Sequence, residues 1–335
     1  MITLNIIWFV LIVVLLLAYA VLEGFDLGVG ILHLFARKDD ERRIMMNAIG
    51  PVWDGNEVWL ITFGGALFAA FPTAYAVAFS SYYTPFMMLL CALVFRAAAM
   101  EFRSKKESKL WRGFWDSIFS LSSILATFLL GVAGANTMMG IPIDEKGVFH
   151  GSFFSFLNPL GISSGILALL VFGLQGALYL QFKTEGELRL KMLKISKFIS
   201  IGVVILFGIV TLLSFSSIER AIPNLINSIF GLLSILFFLL TLTYLWRENG
   251  KSAFLTNSLY IISLVLIFAS NMFPDLVRSS LNPNYSLTIY NSASSPKTLA
   301  IMMGIVLTVL PFVLAYTGYV YWVFRGPVKL DETSY

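Results

Sequence analysis

Charge is scarce in this sequence. Of 335 residues, 23 are Lys or Arg and 19 are Asp or Glu, so charged residues make up 13%, against about 25% in soluble domains. Histidine occurs twice and cysteine once. The lone Cys91 excludes an internal disulfide and a thiolate-cluster metal site. With 58% hydrophobic residues, a water-soluble globule is excluded as well. The chain reads instead as a row of membrane spans, each needing roughly 20 apolar residues, within a single integral membrane domain, 1–335.

Runs free of Lys, Arg, Asp and Glu locate the spans. The longest, 58–95, is too long for one straight helix, and Pro72-Thr73-Ala74-Tyr75 inside it marks a turn. A further uncharged run, 279–296, is rich in Ser, Asn and Pro and reads as a loop. The expected architecture is all-α and polytopic, with nine spans at about 4–32, 50–71, 76–102, 114–137, 159–183, 196–216, 221–246, 252–272 and 298–324. Spans one to four and five to eight echo each other weakly as two four-helix units, with the ninth as a peripheral helix. No basic n-region or small-x-small cleavage pattern accompanies the first run, so it reads as a retained span rather than a signal peptide.

The bases orient the row. Eighteen of the 23 fall in the loops on one face, from Arg37, Lys38, Arg42 and Arg43 through to Arg325 and Lys329. Lys146, Arg220, Arg278 and Lys297 fall on the other, and Arg96 lies inside span three. The positive-inside rule then places the N-terminus outside and the C-terminus in the cytoplasm. The net charge of +4 is thereby a topology signal, and nucleic acid is not an expected partner.

The informative charges are those inside spans, where each costs about 2.5–3.5 kcal/mol at mid-helix. They are Glu23 and Asp26 in span one, Asp54 and Glu57 at the start of span two, Arg96 and Glu101 in span three, and Asp116 at the start of span four. All lie toward the cytoplasmic ends of the first four spans. Glu23 and Asp26 share a helix face, as do Asp54 and Glu57. Arg96 and Glu101 are about 140° apart around their helix, so Arg96 is expected to reach a carboxylate on another span, Asp26 or Asp54. Buried ion pairs that only fix helix register are one reading, and helix-end snorkelling is a second for Glu101 and Asp116. The excess of acid over base favours a proton or cation route.

Histidine poverty bears on cofactors, because a membrane haem draws axial His or Met from span interiors. His33 ends span one and reads as a solvated helix-end residue, and His150 lies in an outer loop. The Met residues are scattered among Leu and Phe and read as packing. This chain is expected to bind no haem alone. Gly24, Gly28 and Gly30 around Asp26 permit close helix approach. Gly50-Pro51-Val52-Trp53-Asp54-Gly55 reads as a helix start, and Trp53 and Trp59 read as interface anchors.

Glu23-Gly24-Phe25-Asp26-Leu27-Gly28-Val29-Gly30 and Gly50-Pro51-Val52-Trp53-Asp54-Gly55-Asn56-Glu57-Val58-Trp59-Leu60 together resemble subunit II of the cytochrome bd-type quinol oxidases. Phe95-Arg96 with Glu101-Phe102-Arg103 is similar to that family's third-span motif. Leu157-Asn158-Pro159-Leu160-Gly161, Gly176-Ala177-Leu178-Tyr179-Leu180 with Lys183-Thr184, and Ser280-Leu281-Asn282-Pro283 with Ser286-Leu287-Thr288 and Ala293-Ser294-Ser295 extend the resemblance toward the last span. The Trp-Asp-Gly-Asn-Glu motif is its most specific part, and 185–272 adds little.

The resemblance implies a terminal oxidase that oxidises quinol and reduces dioxygen to water, building a proton motive force without pumping. It implies that haem b and haem d (or b-type equivalents) sit in a partner, subunit I, with which this chain forms a pseudo-symmetric heterodimer, and it admits a small single-span accessory subunit. It implies a bacterial or archaeal cytoplasmic membrane, with lipid and quinone as neighbours. By motif it makes Asp54 the first choice for proton uptake, Asp26, Glu57, Arg96 and Glu101 its network, and Trp59 an approach for oxygen. No catalytic, cofactor-binding or metal-ligating residue is expected in this chain. A stand-alone secondary transporter or proton/cation channel is the alternative, and a scaffold without proton traffic is another.

Overall fold

The computed structural model describes residues 2–218 and 225–330. It is a bundle of long helices: α1 (Ile2–Leu32), α3 (Trp53–Ala70), α4 (Pro72–Ser81), α5 (Tyr83–Phe102), α6 (Lys109–Met139), α7 (Pro159–Lys183), α8 (Gly186–Ser217), α9 (Leu225–Trp246), α10 (Gly250–Met272) and α11 (Pro296–Val323), with a short α2 (Asp39–Ile49) between α1 and α3. Eight of these, all but α2, α3 and α4, are long and apolar enough to cross a membrane. The 18-residue α3 opens on Asp54, Asn56 and Glu57, which dilute its hydropathy. The start of the seventh expected span and Arg220 lie outside the described residues.

Two boundaries differ from those expected. Span three, read as 76–102, is divided at Tyr82 into α4 and α5. Pro85 explains the break: its ring cannot follow the carbonyl four residues before it, so a continuous helix would be disrupted there. The charged stretch after α1, read as a loop, contains α2. Its first turn holds Asp39, Asp40 and Glu41, which suit a helix N-terminus, and Glu41 Oε2 accepts the Arg37 backbone N–H at 2.8 Å.

Helices α1, α6, α7 and α10 form the core, and α11 lies outside it with Leu299 its one buried residue. α1 and α7 touch backbone to backbone. A Cβ on Gly28 would stand 1.9 Å from the Phe172 carbonyl oxygen, and one on Gly176 would stand 2.4 Å from the Gly28 carbonyl carbon. Glycine is therefore needed on both sides, as the glycine pattern around Asp26 suggested. Nearby, Phe25 of α1 stacks on Tyr179 of α7 with centroids 4.2 Å apart, and the Tyr179 hydroxyl donates to the Ala48 carbonyl at 2.8 Å, docking α2.

At the far end of the bundle, the segment read as a loop is mostly that, with a two-stranded antiparallel pair, β1 (Asp275–Val277) and β2 (Leu287–Thr288). Arg278 ties this cap to the helices. It donates to the Met138 carbonyl at 2.8 Å and to the Asn271 carbonyl at 2.7 Å, satisfying final-turn carbonyls of α6 and α10. Its Nε meets Asp275 Oδ2 at 3.1 Å.

Candidate functional site

The end of the bundle opposite that cap gathers the charged residues, in two clusters. The deeper one is centred on Arg96, in the last third of α5 and fully buried. Its Nη1 lies 2.5 Å from Glu23 Oε1 on α1 and 3.5 Å from Glu57 Oε2 on α3. Its guanidinium carbon is 6.0 Å from the Trp53 ring centroid, within cation–π range. Arg96 thus reaches across to other spans as its helical position requires, but its partners are Glu23 and Glu57 rather than Asp26 or Asp54.

Asp26 lies one turn beyond Glu23 on the same face of α1 and is also fully buried. Its Oδ2 accepts from Asn56 Nδ2 at 2.7 Å, and Asn56 Oδ1 accepts from the Tyr321 hydroxyl of α11 at 2.9 Å. Its Oδ1 is buried with no hydrogen-bond partner among the described residues. Four helices therefore build the site: α1 supplies Glu23 and Asp26, α3 supplies Asn56 and Glu57, α5 supplies Arg96 and α11 supplies Tyr321. The cluster holds three carboxyl groups, two of them fully buried, and one guanidinium, which pairs with Glu23 and Glu57. Charge buried without a match is costly, and here the carboxyl groups outnumber the guanidinium.

The remaining expected site residues stand at its margins. Asp54 is exposed on the first turn of α3, one turn before Glu57, which is half-buried. Glu101 is exposed at the end of α5. Trp59 is buried, not set at a lipid–water boundary as an interface anchor would be. The structure also adds three residues to the site. In the sequence Glu23 stands out only as an intramembrane charge, although its spacing from Asp26 puts it on the same face. Asn56 lies inside the Trp-Asp-Gly-Asn-Glu motif. Tyr321 carries no local signal in the sequence.

The second cluster corrects two readings. His33 is buried, not solvated, and its Nε2 lies 2.7 Å from Asp116 Oδ1. Asp116 is buried too, rather than snorkelling from a helix end. It accepts from Arg103 Nε at 2.6 Å and Arg42 Nη1 at 2.8 Å. Arg103 in turn reaches Asp39 at 2.7 Å. These contacts clamp α1, α2, the end of α5 and the start of α6 together. Outside the membrane-spanning helices, burial would raise the Glu41 carboxyl of α2, but Lys191 at 2.8 Å and the Arg37 backbone N–H outweigh it and hold it below its ordinary value.

His33 Nε2 is engaged by Asp116, and His150 is exposed, 2.9 Å from Asp144 Oδ2. Among the described residues no group of three or more His, Cys, Asp or Glu is placed to hold a metal ion.

The fold and the site together define a multi-helical membrane protein with a buried carboxylate–guanidinium cluster at one end of its bundle. Residues 4–324 match the family model for cytochrome bd terminal oxidase subunit II. The chain is 35% identical to the cytochrome bd-I ubiquinol oxidase subunit 2 of Escherichia coli K12, over 98% of this chain and 96% of that one. It is 34% identical to the cytochrome bd ubiquinol oxidase subunit 2 of Bacillus subtilis 168, over 99% of each. A chain from the structure of the bd oxidase of Geobacillus thermodenitrificans shares the fold, with a TM-score of 0.78 at 17% identity over 96% of this chain and 98% of that one. The chain belongs to the cytochrome bd terminal oxidase subunit II family. It is therefore a subunit of a quinol oxidase complex and an integral protein of the bacterial plasma membrane.

Proposed function

We propose that this chain gives protons a route from the cytoplasm toward the oxygen-reducing centre of its complex, and that it scaffolds the haem-bearing subunit I. Reducing dioxygen to water consumes protons, and a centre within a membrane needs a polar path to them. The observation that carries the reading is the Glu23–Asp26–Glu57–Arg96 cluster, buried yet holding more acid than base. Asp54, exposed one turn outside Glu57, is the mouth of the route, and Asp26 is its inner relay. Arg96 keeps the neighbouring carboxylates in place, Glu101 supplies acid at the surface, and Trp59 lines an apolar approach for oxygen.

The basic loops put this end of the bundle in the cytoplasm, so protons enter on that side, and the charge separation builds a proton motive force without pumping. The haems and the quinol site belong to subunit I in this reading, in keeping with the engaged histidines here. Lipid and a small accessory subunit complete the surroundings. The test is quinol-oxidase turnover of the complex carrying Asp54→Asn. Turnover falls while haem absorption is retained. Wild-type turnover with full haem content overturns the role of Asp54, and failure to assemble points to a purely structural one.

A further inference from the structure

α11 is nearly unburied along its length, yet its last turns are fastened beside Asp26. Tyr321 donates to Asn56 at 2.9 Å. Just past the helix end, Lys183 Nζ of α7 donates to the Phe324 carbonyl and to the Gly326 carbonyl at 3.4 Å, and the Val328 N–H donates back to the Lys183 carbonyl at 2.9 Å. A cation on the final carbonyls of a helix satisfies them and complements the dipole. The position of the Tyr321 hydroxyl is thus set by contacts of its own, independent of Asp26.

An amide side chain donates at one end and accepts at the other. With the Tyr321 hydroxyl donating to Oδ1, Asn56 must turn Nδ2 toward Asp26, as the 2.7 Å bond shows. Rotated by half a turn, the amide would set its oxygen against the carboxyl, an arrangement open only to protonated Asp26. Meanwhile Asp26 Oδ1 is buried and unpartnered among the described residues. We propose that Tyr321 is a positioning residue for Asp26, acting through Asn56. It holds the amide in the orientation that steadies the carboxylate and leaves Oδ1 as the oxygen that takes up the proton. A proton arriving adds to Oδ1 and later leaves from it, with no bond between heavy atoms changed.

This inference rests on the reading of Asp26 as a relay. The charged and titratable groups facing Asp26 are Tyr19 and Glu23 of its own helix, Glu57 of α3, Arg96 of α5, Tyr179 of α7 and Tyr321 of α11. Tyr321→Phe alters no formal charge among them. A carboxylate that loses an N–H donor holds its proton more tightly.

The test uses the assembled oxidase and its activity–pH profile. Tyr321→Phe retains haem absorption and moves the limb governed by Asp26 to higher pH by about one unit. Asn56→Leu gives the same displacement, and Tyr321→Phe adds nothing further in that background. A wild-type profile in Tyr321→Phe, or additive displacements in the double variant, overturns the proposal. Should Tyr321→Phe fail to assemble, Asn56→Leu decides alone: a displaced limb supports the link and an unmoved one overturns it. Asp26→Asn separates the two levels. Wild-type turnover there refutes the relay itself, whereas slow turnover there with a wild-type profile in Tyr321→Phe refutes only the role of Tyr321.

Discussion

Replacing Arg96 by Met removes the cation from the deep cluster while keeping a long, flexible apolar side chain in its space. Glu23 is then left fully buried, without the guanidinium now 2.5 Å away. Glu57, half-buried, loses a partner at 3.5 Å. Breaking a buried pair from one side costs about 3–5 kcal/mol, because the remaining charge has nothing to offset its desolvation. Against a total stability of about 5–15 kcal/mol, that is enough to lower the yield of assembled complex and its inactivation temperature. Removing the acid as well reverses most of the loss, since replacing both members of a buried pair by neutral groups is often close to neutral. The assay is a double-mutant cycle of Arg96→Met and Glu23→Gln on the inactivation temperature, followed by haem absorption. The double variant is expected to be more stable than Arg96→Met alone, with a coupling above about 1 kcal/mol. Single effects that add to within about 0.5 kcal/mol, the behaviour of independent sites, would refute the pairing.

Two further outcomes follow from the packing and the loops. Gly28→Ala puts a methyl carbon where the Phe172 carbonyl oxygen is only 1.9 Å away. The clash is with backbone, so α1 and α7 must separate, at the about 1–3 kcal/mol or more typical of overpacking; size-exclusion chromatography then shows reduced assembly, and wild-type assembly would contradict the close approach. The loop around Asp144 has its own pH dependence: the His150 ring at 2.9 Å, with the Val148 and Lys146 backbone N–H groups, holds the Asp144 carboxyl below its ordinary value. A depressed acid contributes order at pH values above its unfolded value, about 3.9, and that contribution is lost as pH falls through the depressed value. Hydrogen exchange at Val148, corrected for intrinsic rate, accelerates over that acid range and is already fast in Asp144→Asn; an unchanged amide in that variant would refute the loop's dependence on Asp144.

Much of this architecture was legible in the sequence because lipid leaves few options. Long uncharged runs located the long helices, Pro72 marked a true break, and intramembrane charges converged as their cost demanded. The second break, at Tyr82, depends on Pro85, whose effect four residues upstream is invisible to a hydropathy count. α2 is not legible in the sequence because its charges mask a short helix that docks through the Ala48 carbonyl. Individual partners were harder. A helical face tells which residues can leave their own helix, not which neighbour they meet, so Arg96 pairs with Glu23 and Glu57 where its position alone points equally to Asp26 or Asp54. His33 looked solvated because nothing near it in sequence shows that Asp116, 83 positions later, folds onto it. Tyr321 was beyond reach for the same reason, since its partner Asn56 is 265 positions away.

The central claim is that the buried acids of α1 and α3 carry protons to the complex. Its most direct test is the rate of proton uptake from the cytoplasmic side during quinol oxidation, in vesicles holding the complex with Asp26→Asn and full haem content. The account predicts that proton uptake and oxygen consumption slow together, by tenfold or so if the lost relay raises the barrier by about 1.4 kcal/mol. Uptake and turnover at the wild-type rate would contradict it.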